Sequence, residues 1–246
     1  MKLSGKTGIT YWIDDMEERY NRHHLIPDFG EAGQEKLKKA SALIVGVGGL
    51  GSPIALYLVA AGIGRIGLID NDIVSLTNLQ RQILYRESQL DSSKVYEASK
   101  TLQQLNSECV IETYPYRLTE ENARKLISRY DIVLDGCDNF ETRYLIDEVT
   151  SESGIPYVYG SIGEFHGQLS VFNYGEAGSY SDLYPKEFAG EKKNLPSGVI
   201  GSVPGVVGSL QATEAIKILT GFGKPLVNEL LTLDLKNMEF KKLQIS

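Results

Sequence analysis

The stretch Ala42-Leu43-Ile44-Val45-Gly46-Val47-Gly48-Gly49-Leu50-Gly51 decides the fold. Its four leading apolar residues, two of them β-branched, read as a short buried strand. Gly46, Gly48, Gly49 and Gly51 then let the backbone turn sharply and leave its amides open to a phosphate. Residues 52–61 read as a helix, whose start offers free N–H donors and the positive end of a dipole. Strand, glycine turn and helix in that order predict a nucleotide site.

The alternation continues outward. Residues 65–69 form a second strand ending at Asp70, and residues 77–85 a short helix or turn. Residues 92–105 read as a helix with Lys94 in its first turn, 110–116 as a third strand, 120–130 as a helix and 132–134 as a fourth strand. A loop at 135–139 follows, and Glu141 opens another helix. Residues 157–161 and 168–173 read as strands around a turn at 163–167, residues 203–220 as a helix closed by Gly221, and residues 226–244 as a terminal strand pair. Residues 11–40 are charged and amphipathic, with a short helix at 33–40, and read as a surface arm. Residues 175–197 are polar and rich in Gly, Pro, Lys and Glu, the pattern of a mobile loop.

The expected class is α/β: a Rossmann-like, doubly wound, mostly parallel sheet with helices on both faces, continued by antiparallel strands in the C-terminal half. One domain is expected over 1–246, divided into an arm (1–40), a nucleotide-binding half (41–150) and a second half (151–246).

Composition narrows the function. The 246 residues, 42% of them hydrophobic, suffice for one large domain. A net charge of −7 argues against nucleic acid as a bulk electrostatic partner. Cys109 and Cys137 form no CxxC pair, and His23, His24 and His166 are scattered, so no zinc site is expected. Low cysteine use fits a cytoplasmic protein. Residues 1–10 lack the apolar core of a signal peptide, and the apolar zone 56–69 is broken by Gly62, Gly64 and Arg65, so no membrane span is expected.

Asp70 lies where a strand-end carboxylate hydrogen-bonds ribose hydroxyls; a strand-end turn explains it equally well. Asp72 follows it closely. These features alone fit a nicotinamide oxidoreductase. The segment Thr77-Asn78-Leu79-Gln80-Arg81-Gln82, with Lys94 beyond it, does not. Arg and Lys aimed at one nucleotide suit a triphosphate, although a solvated helix face is the plainer reading of either alone. In Asp135-Gly136-Cys137-Asp138-Asn139, a carboxylate can hold Mg²⁺ against phosphate oxygens. Asp138 or Asn139 can also cap the next helix, and the two roles can coexist.

Taken in order, these pieces resemble the ThiF/MoeB/HesA family, relatives of the ubiquitin-activating enzymes. Arg19-Tyr20-Asn21-Arg22 precedes them, and Gly167-Gln168 and the run from Gly208-Ser209-Leu210-Gln211 to Lys217 complete the series. The resemblance implies ATP-dependent adenylylation of the C-terminal glycine of a small ubiquitin-like sulfur carrier. It implies that Gly49 and Asp70 contact adenosine and ribose, that Asn78, Arg81 and Lys94 contact phosphates, and that Asp138 holds Mg²⁺. The wider nucleotide set is Gly46, Gly48, Gly49, Gly51, Asp70, Asp72, Thr77, Asn78, Leu79, Gln80, Arg81, Lys94, Asp138 and Asn139. Arg22 would serve the neighbouring subunit's triphosphate, which implies a homodimer. Lys94, Arg81, Arg22 and Mg²⁺ together would offset the charge of the reacting polyphosphate.

The chain also departs from the family pattern. No cysteine stands near Ser179-Tyr180-Ser181-Asp182, where many relatives carry half of a zinc site. Asn194 stands where many carry a reactive loop cysteine. Cys137 reads as a packed residue. The reaction is therefore expected to stop at the acyl-adenylate and to need a separate sulfur donor. The stretch 157–168 and the cysteine-free loop look most like ThiF-type proteins of thiamine biosynthesis, with a carrier-binding role for residues 151–246. A MoeB-type role in molybdopterin synthesis and a tRNA threonylcarbamoyladenosine dehydratase-type activity are the alternatives. A non-catalytic module that holds a carrier or nucleotide is the remaining class. His166 as a carrier contact competes with a turn histidine; Lys186, Lys192 and Lys193 as steering charges compete with a solvated face.

Overall fold

The computed structural model describes residues 18–189 and 198–245. Helices α1 (Asn21–His24) and α2 (Gly30–Lys39) lead into β1 (Ser41–Val45), α3 (Gly51–Ala61) and β2 (Arg65–Ile69). Then come α4 (Lys94–Leu105), β3 (Val110–Tyr114), α5 (Glu120–Ile127), β4 (Ile132–Asp135), α6 (Phe140–Ser153), β5 (Tyr157–Gly163) and β6 (His166–Phe172). The chain continues with α7 (Tyr180–Leu183), α8 (Lys186–Ala189), α9 (Ser202–Thr220), β7 (Glu229–Asp234) and β8 (Glu239–Gln244).

The eight strands form one sheet in the order β3-β2-β1-β4-β5-β6-β7-β8. Strands β1 to β5 pair in parallel and β6 to β8 antiparallel, as the alternation predicts. β1 is buried along its whole length, because helices cover both faces of a parallel sheet. Ala42 and Ile44 pack with Ile54 and Leu58 of α3, Leu102 of α4 and Ala212 of α9. Leu43 and Val45 point the other way, into a cluster with Ala123 and Ile127 of α5 and Ile146 of α6. This period of two divides the core into two layers.

The strand order reverses between β1 and β4, and ligands of open α/β sheets bind in the crevice beyond the carboxyl ends at such a point. The glycine turn after β1, Asp70 after β2 and the 135–139 loop after β4 all lie at that edge.

Three expectations need correction. The arm is not a surface appendage: Tyr20, Phe29 and Leu37 are buried. Tyr20 accepts a hydrogen bond from Asn106 Nδ2 at 2.8 Å, and Phe29 meets Phe222 edge-on. The expected turn at 163–167 is tighter, with strand pairing from Gly163 to His166 and only Glu164 and Phe165 at the tip. The first part of the polar segment 175–197 contains two short helices, α7 and α8, and α7 is packed into the molecule. Tyr180 is fully buried against Tyr144, Tyr157, Tyr159, Phe172 and Tyr184. Its polar neighbours hid that anchor. The rest of that segment, residues 190–197 with Lys192, Lys193 and Asn194, lies outside the described residues.

Asp147 of α6, also buried, accepts hydrogen bonds from Tyr180 N at 2.8 Å, Ser181 N at 3.0 Å and Asn173 Nδ2 at 3.2 Å. Asp147→Ala leaves the Tyr180 and Ser181 amides without this acceptor, whereas Asn173 Nδ2 keeps Thr150 Oγ1 at 2.9 Å. The variant's unfolding free energy in urea is expected to fall by roughly 2–4 kcal/mol. An unchanged urea midpoint would show that Asp147 does not anchor α7.

Candidate active site

Gly46 has φ +88°, and a Cβ there would lie 2.5 Å from Gly136 O. A Cβ on Gly51 would lie 2.1 Å from Gly46 O. The turn thus packs backbone against backbone, against the start of α3 on one side and the loop after β4 on the other. A Cβ on Gly48 would lie 3.3 Å from Gln82 Nε2, and one on Gly49 3.7 Å from Arg81 Cδ and 3.4 Å from Pro204 of α9. The segment after the first 3₁₀ turn beyond β2 (Leu76–Asn78) therefore lies over the glycines.

Asp70 ties the turn to the cationic side. Its Oδ2 accepts from Val47 N at 2.8 Å, and its Oδ1 accepts from Asp72 N at 2.9 Å. The Asp72 carboxylate accepts from Lys94 Nζ at 2.8 Å. The Lys94 side chain is only 5% exposed, whereas that of Asp72 is 62% exposed, so the plainer reading of Lys94 as a solvated lysine is corrected. Tyr85 donates its hydroxyl to Val47 O at 2.7 Å. Burial, then the Asp70 and Asp72 charges, push the Tyr85 pKa far up, so it stays a donor.

Arg81 is half-buried and donates through Nη1 to Thr77 O at 3.2 Å. Asn78 O accepts from the backbone N of both Arg81 and Gln82. Leu79 packs its side chain on the core; Gln80 is exposed, and its backbone carbonyl lies against Gly201. Thr77 is exposed and pairs with Ser75 Oγ at 3.1 Å.

Beyond β4 the two carboxylates divide their roles. Asp135 is fully buried and neutralised by Arg143 Nε at 2.9 Å, which removes it as a metal ligand. Asp138 is exposed and, among the described residues, engaged only weakly, by Asn139 Nδ2 at 3.3 Å. Asn139 caps α6, accepting from Thr142 N at 2.9 Å. Capping thus falls to Asn139 and leaves the Asp138 oxygens available. A hard, accessible carboxylate beside the glycine turn fits Mg²⁺, which needs only one or two protein ligands when a nucleotide's phosphates supply others.

Arg22 is not in this cluster. The Tyr20 ring sits against Gly62, at the far end of α3, about 16 Å along the helix from Gly51. Arg22 is exposed and makes no hydrogen bond or ion pair among the described residues.

Sequence reasoning passed over Gln82, Ser52, Tyr85 and the Asp135–Arg143 pair. Gln82 and Ser52 are buried, with Oε1 and Oγ unpartnered among the described residues. Buried polar atoms normally have partners, so these two mark the turn as a ligand surface. Gln82 stood inside the segment 77–82 and Asp135 inside the loop 135–139, but the pairing of Asp135 with Arg143 and the burial of Ser52 and Tyr85 carry no local signal.

The sequence matches the ThiF family over residues 20–246. The chain belongs to that family. It is 44% identical to a Thermus thermophilus sulfur carrier protein adenylyltransferase, over 95% of this chain and 89% of the relative. It is 42% identical to a probable molybdopterin-synthase adenylyltransferase of Porphyra purpurea, over 96% of this chain and 62% of that one. With the probable adenylyltransferase/sulfurtransferase MoeZ of Mycobacterium tuberculosis it shares 42% identity, over 92% and 59% of the two chains. These ThiF relatives are adenylyltransferases by name, and nucleotidyltransferase is the enzyme class of this chain. Escherichia coli MccB with MccA-N7isoASN superposes with a TM-score of 0.84 at 22% identity, over 95% of this chain and 73% of that one, which supports the fold alone. PaaA superposes at 0.80 with 25% identity, over 99% and 78%.

Asp70→Ala is expected to weaken ATP binding roughly tenfold, because the Val47 and Asp72 amides lose the acceptor that orders the turn. Calorimetric titration with ATP measures this, and an unchanged affinity would rule out the role.

Proposed function

We propose that this ThiF-family enzyme adenylylates the C-terminal glycine of a small ubiquitin-like sulfur carrier, with ATP as the AMP donor. The observation that carries the reading is the buried Lys94 ammonium, held by Asp72 next to the Asp70-braced glycine turn. An ammonium has three donors, and one is engaged by Asp72, so two remain for phosphate oxygens. The carrier's terminal carboxylate is ionised at neutral pH and needs no base. Its oxygen bonds to the α-phosphorus as the bond to the β-phosphate bridging oxygen breaks and pyrophosphate leaves. Lys94 and Arg81 stabilise the charge on those phosphates. Asp138 would hold Mg²⁺, which supplies Lewis-acid neutralisation of the polyphosphate when bound.

Arg22 cannot reach the turn of its own chain, which supports a homodimer in which it serves the neighbour's site. A separate sulfur donor is proposed because neither cysteine suits the task. Burial pushes the Cys109 thiol up to about 12. Burial and the Asp135 charge push Cys137 well up, and its thiol donates to Asp135 Oδ1 at 2.8 Å. Such thiols are poor nucleophiles at neutral pH. The thiazole carrier of thiamine biosynthesis is the proposed substrate, supported by residues 157–168, and the scarcity of cysteine supports a cytoplasmic reaction. Incubation with MgATP and either the thiazole carrier or the molybdopterin synthase small subunit tests this by intact mass. A gain of one AMP on the thiazole carrier is expected, lost in Asp138→Ala. A gain on the molybdopterin subunit alone would move the assignment to that pathway, and none on either would reject the reading.

A further inference from the structure

Arg143 sits in the first turn of α6, at a helix end whose dipole disfavours a cation. Its residue is 7% exposed, so the guanidinium has also lost most of its water. A buried ion pair adds little net stability over an apolar pair. Helix stability does not account for an arginine here, and its one aromatic contact among the described residues, over the Tyr159 ring at 5.5 Å, does not call for a fork of donors.

Its hydrogen bonds do. Nε donates to Asp135 Oδ2 at 2.9 Å. Nη2 donates to Cys137 O at 3.1 Å and to Gly160 O on β5 at 3.3 Å. Asp135 Oδ1 accepts from Cys137 N at 3.0 Å, and Asp135 Oδ2 also accepts from Tyr157 OH at 3.1 Å. Both backbone polar groups of Cys137 are thereby held. The carbonyl that Arg143 grips belongs to the peptide joining Cys137 to Asp138. On the other side, Gly136 N donates to Val45 O at 2.8 Å and abuts the phosphate turn. From α9, Gln211 Nε2 donates to Asp135 O at 2.8 Å. The loop is fixed on every side, and the carboxylate projecting from it is Asp138.

We propose that Arg143 is a positioning residue for Asp138: its buried fork fixes the peptide plane before Asp138 and so aims that carboxylate at the nucleotide-bound metal. The inference rests on the reading of Asp138 as the Mg²⁺ ligand. A planar guanidinium reaches Asp135, Cys137 and Gly160 together; a lysine at 143 keeps the charge but loses the fork. Because Arg143 and Asp135 neutralise each other, the pair adds no net charge to the site. Its effect passes through geometry.

The test compares ATP binding by calorimetry in excess MgCl₂ and in EDTA for wild type, Asp138→Ala and Arg143→Lys, with melting temperatures alongside. Wild type should bind more tightly with Mg²⁺, and Asp138→Ala should lose that gain. Arg143→Lys should keep the EDTA affinity and most of its melting temperature, yet lose about tenfold of the Mg²⁺-dependent gain, the usual effect of removing an outer partner of a metal ligand. In pyrophosphate exchange it should need more Mg²⁺ with little change at saturation. A full wild-type gain in Arg143→Lys would overturn the proposal, as would a parallel fall in both affinities and stability. If Arg143→Lys fails to fold, Asp135→Asn is read in the same way, since either amide orientation sets its N–H groups against donors, those of Cys137 or those of Arg143 and Tyr157, and breaks one arm of the fork. Failure of both to fold would make the pair purely structural and also overturn the proposal. A wild-type protein without any Mg²⁺ gain would reject the underlying metal assignment, an outcome visible before any Arg143 variant is read.

Discussion

Lys94→Met lowers kcat/KM for carrier-dependent ATP–pyrophosphate exchange by about 10²–10³, the effect of removing one preorganised group from a developing charge. The fold is expected to survive. Methionine is close to lysine in length and suits a site with 5% side-chain exposure. Asp72, the partner left behind, is 62% exposed, so its carboxylate returns to water at little cost. The loss should therefore appear in the rate and not in the melting temperature. Lys94→Arg should not restore the rate, because a planar fork does not fit where a compact ammonium is buried between Asp72 and the site. A Lys94→Met loss below about tenfold, some 1.4 kcal/mol, would show that the ammonium does not act on the reacting phosphates.

Gly46→Ala carries the second large effect, on folding and nucleotide binding together. The backbone there has φ +88°, and the new Cβ would lie 2.5 Å from Gly136 O and 2.7 Å from Gly136 C. Both obstacles are backbone atoms that no rotamer change can remove. Conformational strain and overpacking each cost about 1–3 kcal/mol, so a stability loss of about 3 kcal/mol is expected. For a chain this long that lowers the melting temperature by roughly 10 °C. Where the variant does fold, separating Gly46 from Gly136 moves the glycine turn away from the Asp138 loop, and, on the proposed reading, ATP binding should be lost. Thermal unfolding and nucleotide titration of the same sample measure both effects. An intact ATP affinity would show that the two loops work independently.

Local patterns made much of this legible. The short apolar run of β1, the glycine turn and the strand–helix alternation depend on near neighbours, and the parallel core followed them. The span of α3, the start of α6 and the terminal hairpin of β7 and β8 were readable for the same reason. The fate of the arm was not, because Tyr20 and Phe29 are buried by Asn106 and Phe222, far away in the chain. Likewise, α7 is held by an aromatic cluster and a buried carboxylate whose members span residues 144–184. Polar composition at 175–189 therefore looked like a loop.

For the site, the sequence by itself determined which groups exist and which strand ends carry them: glycines after β1, Asp70 after β2, an acidic loop after β4. Only the tertiary structure decided how they divide the work. Asp135 and Asp138 have the same chemistry three residues apart, yet burial beside Arg143 neutralises one while exposure leaves the other available. Lys94 and Arg22 are both cations. Lys94 is buried beside the turn, whereas Arg22 lies beyond the opposite end of α3. Composition specifies charge, but the work a charge can do depends on its solvent exposure and on the partners that the sheet brings within hydrogen-bonding distance.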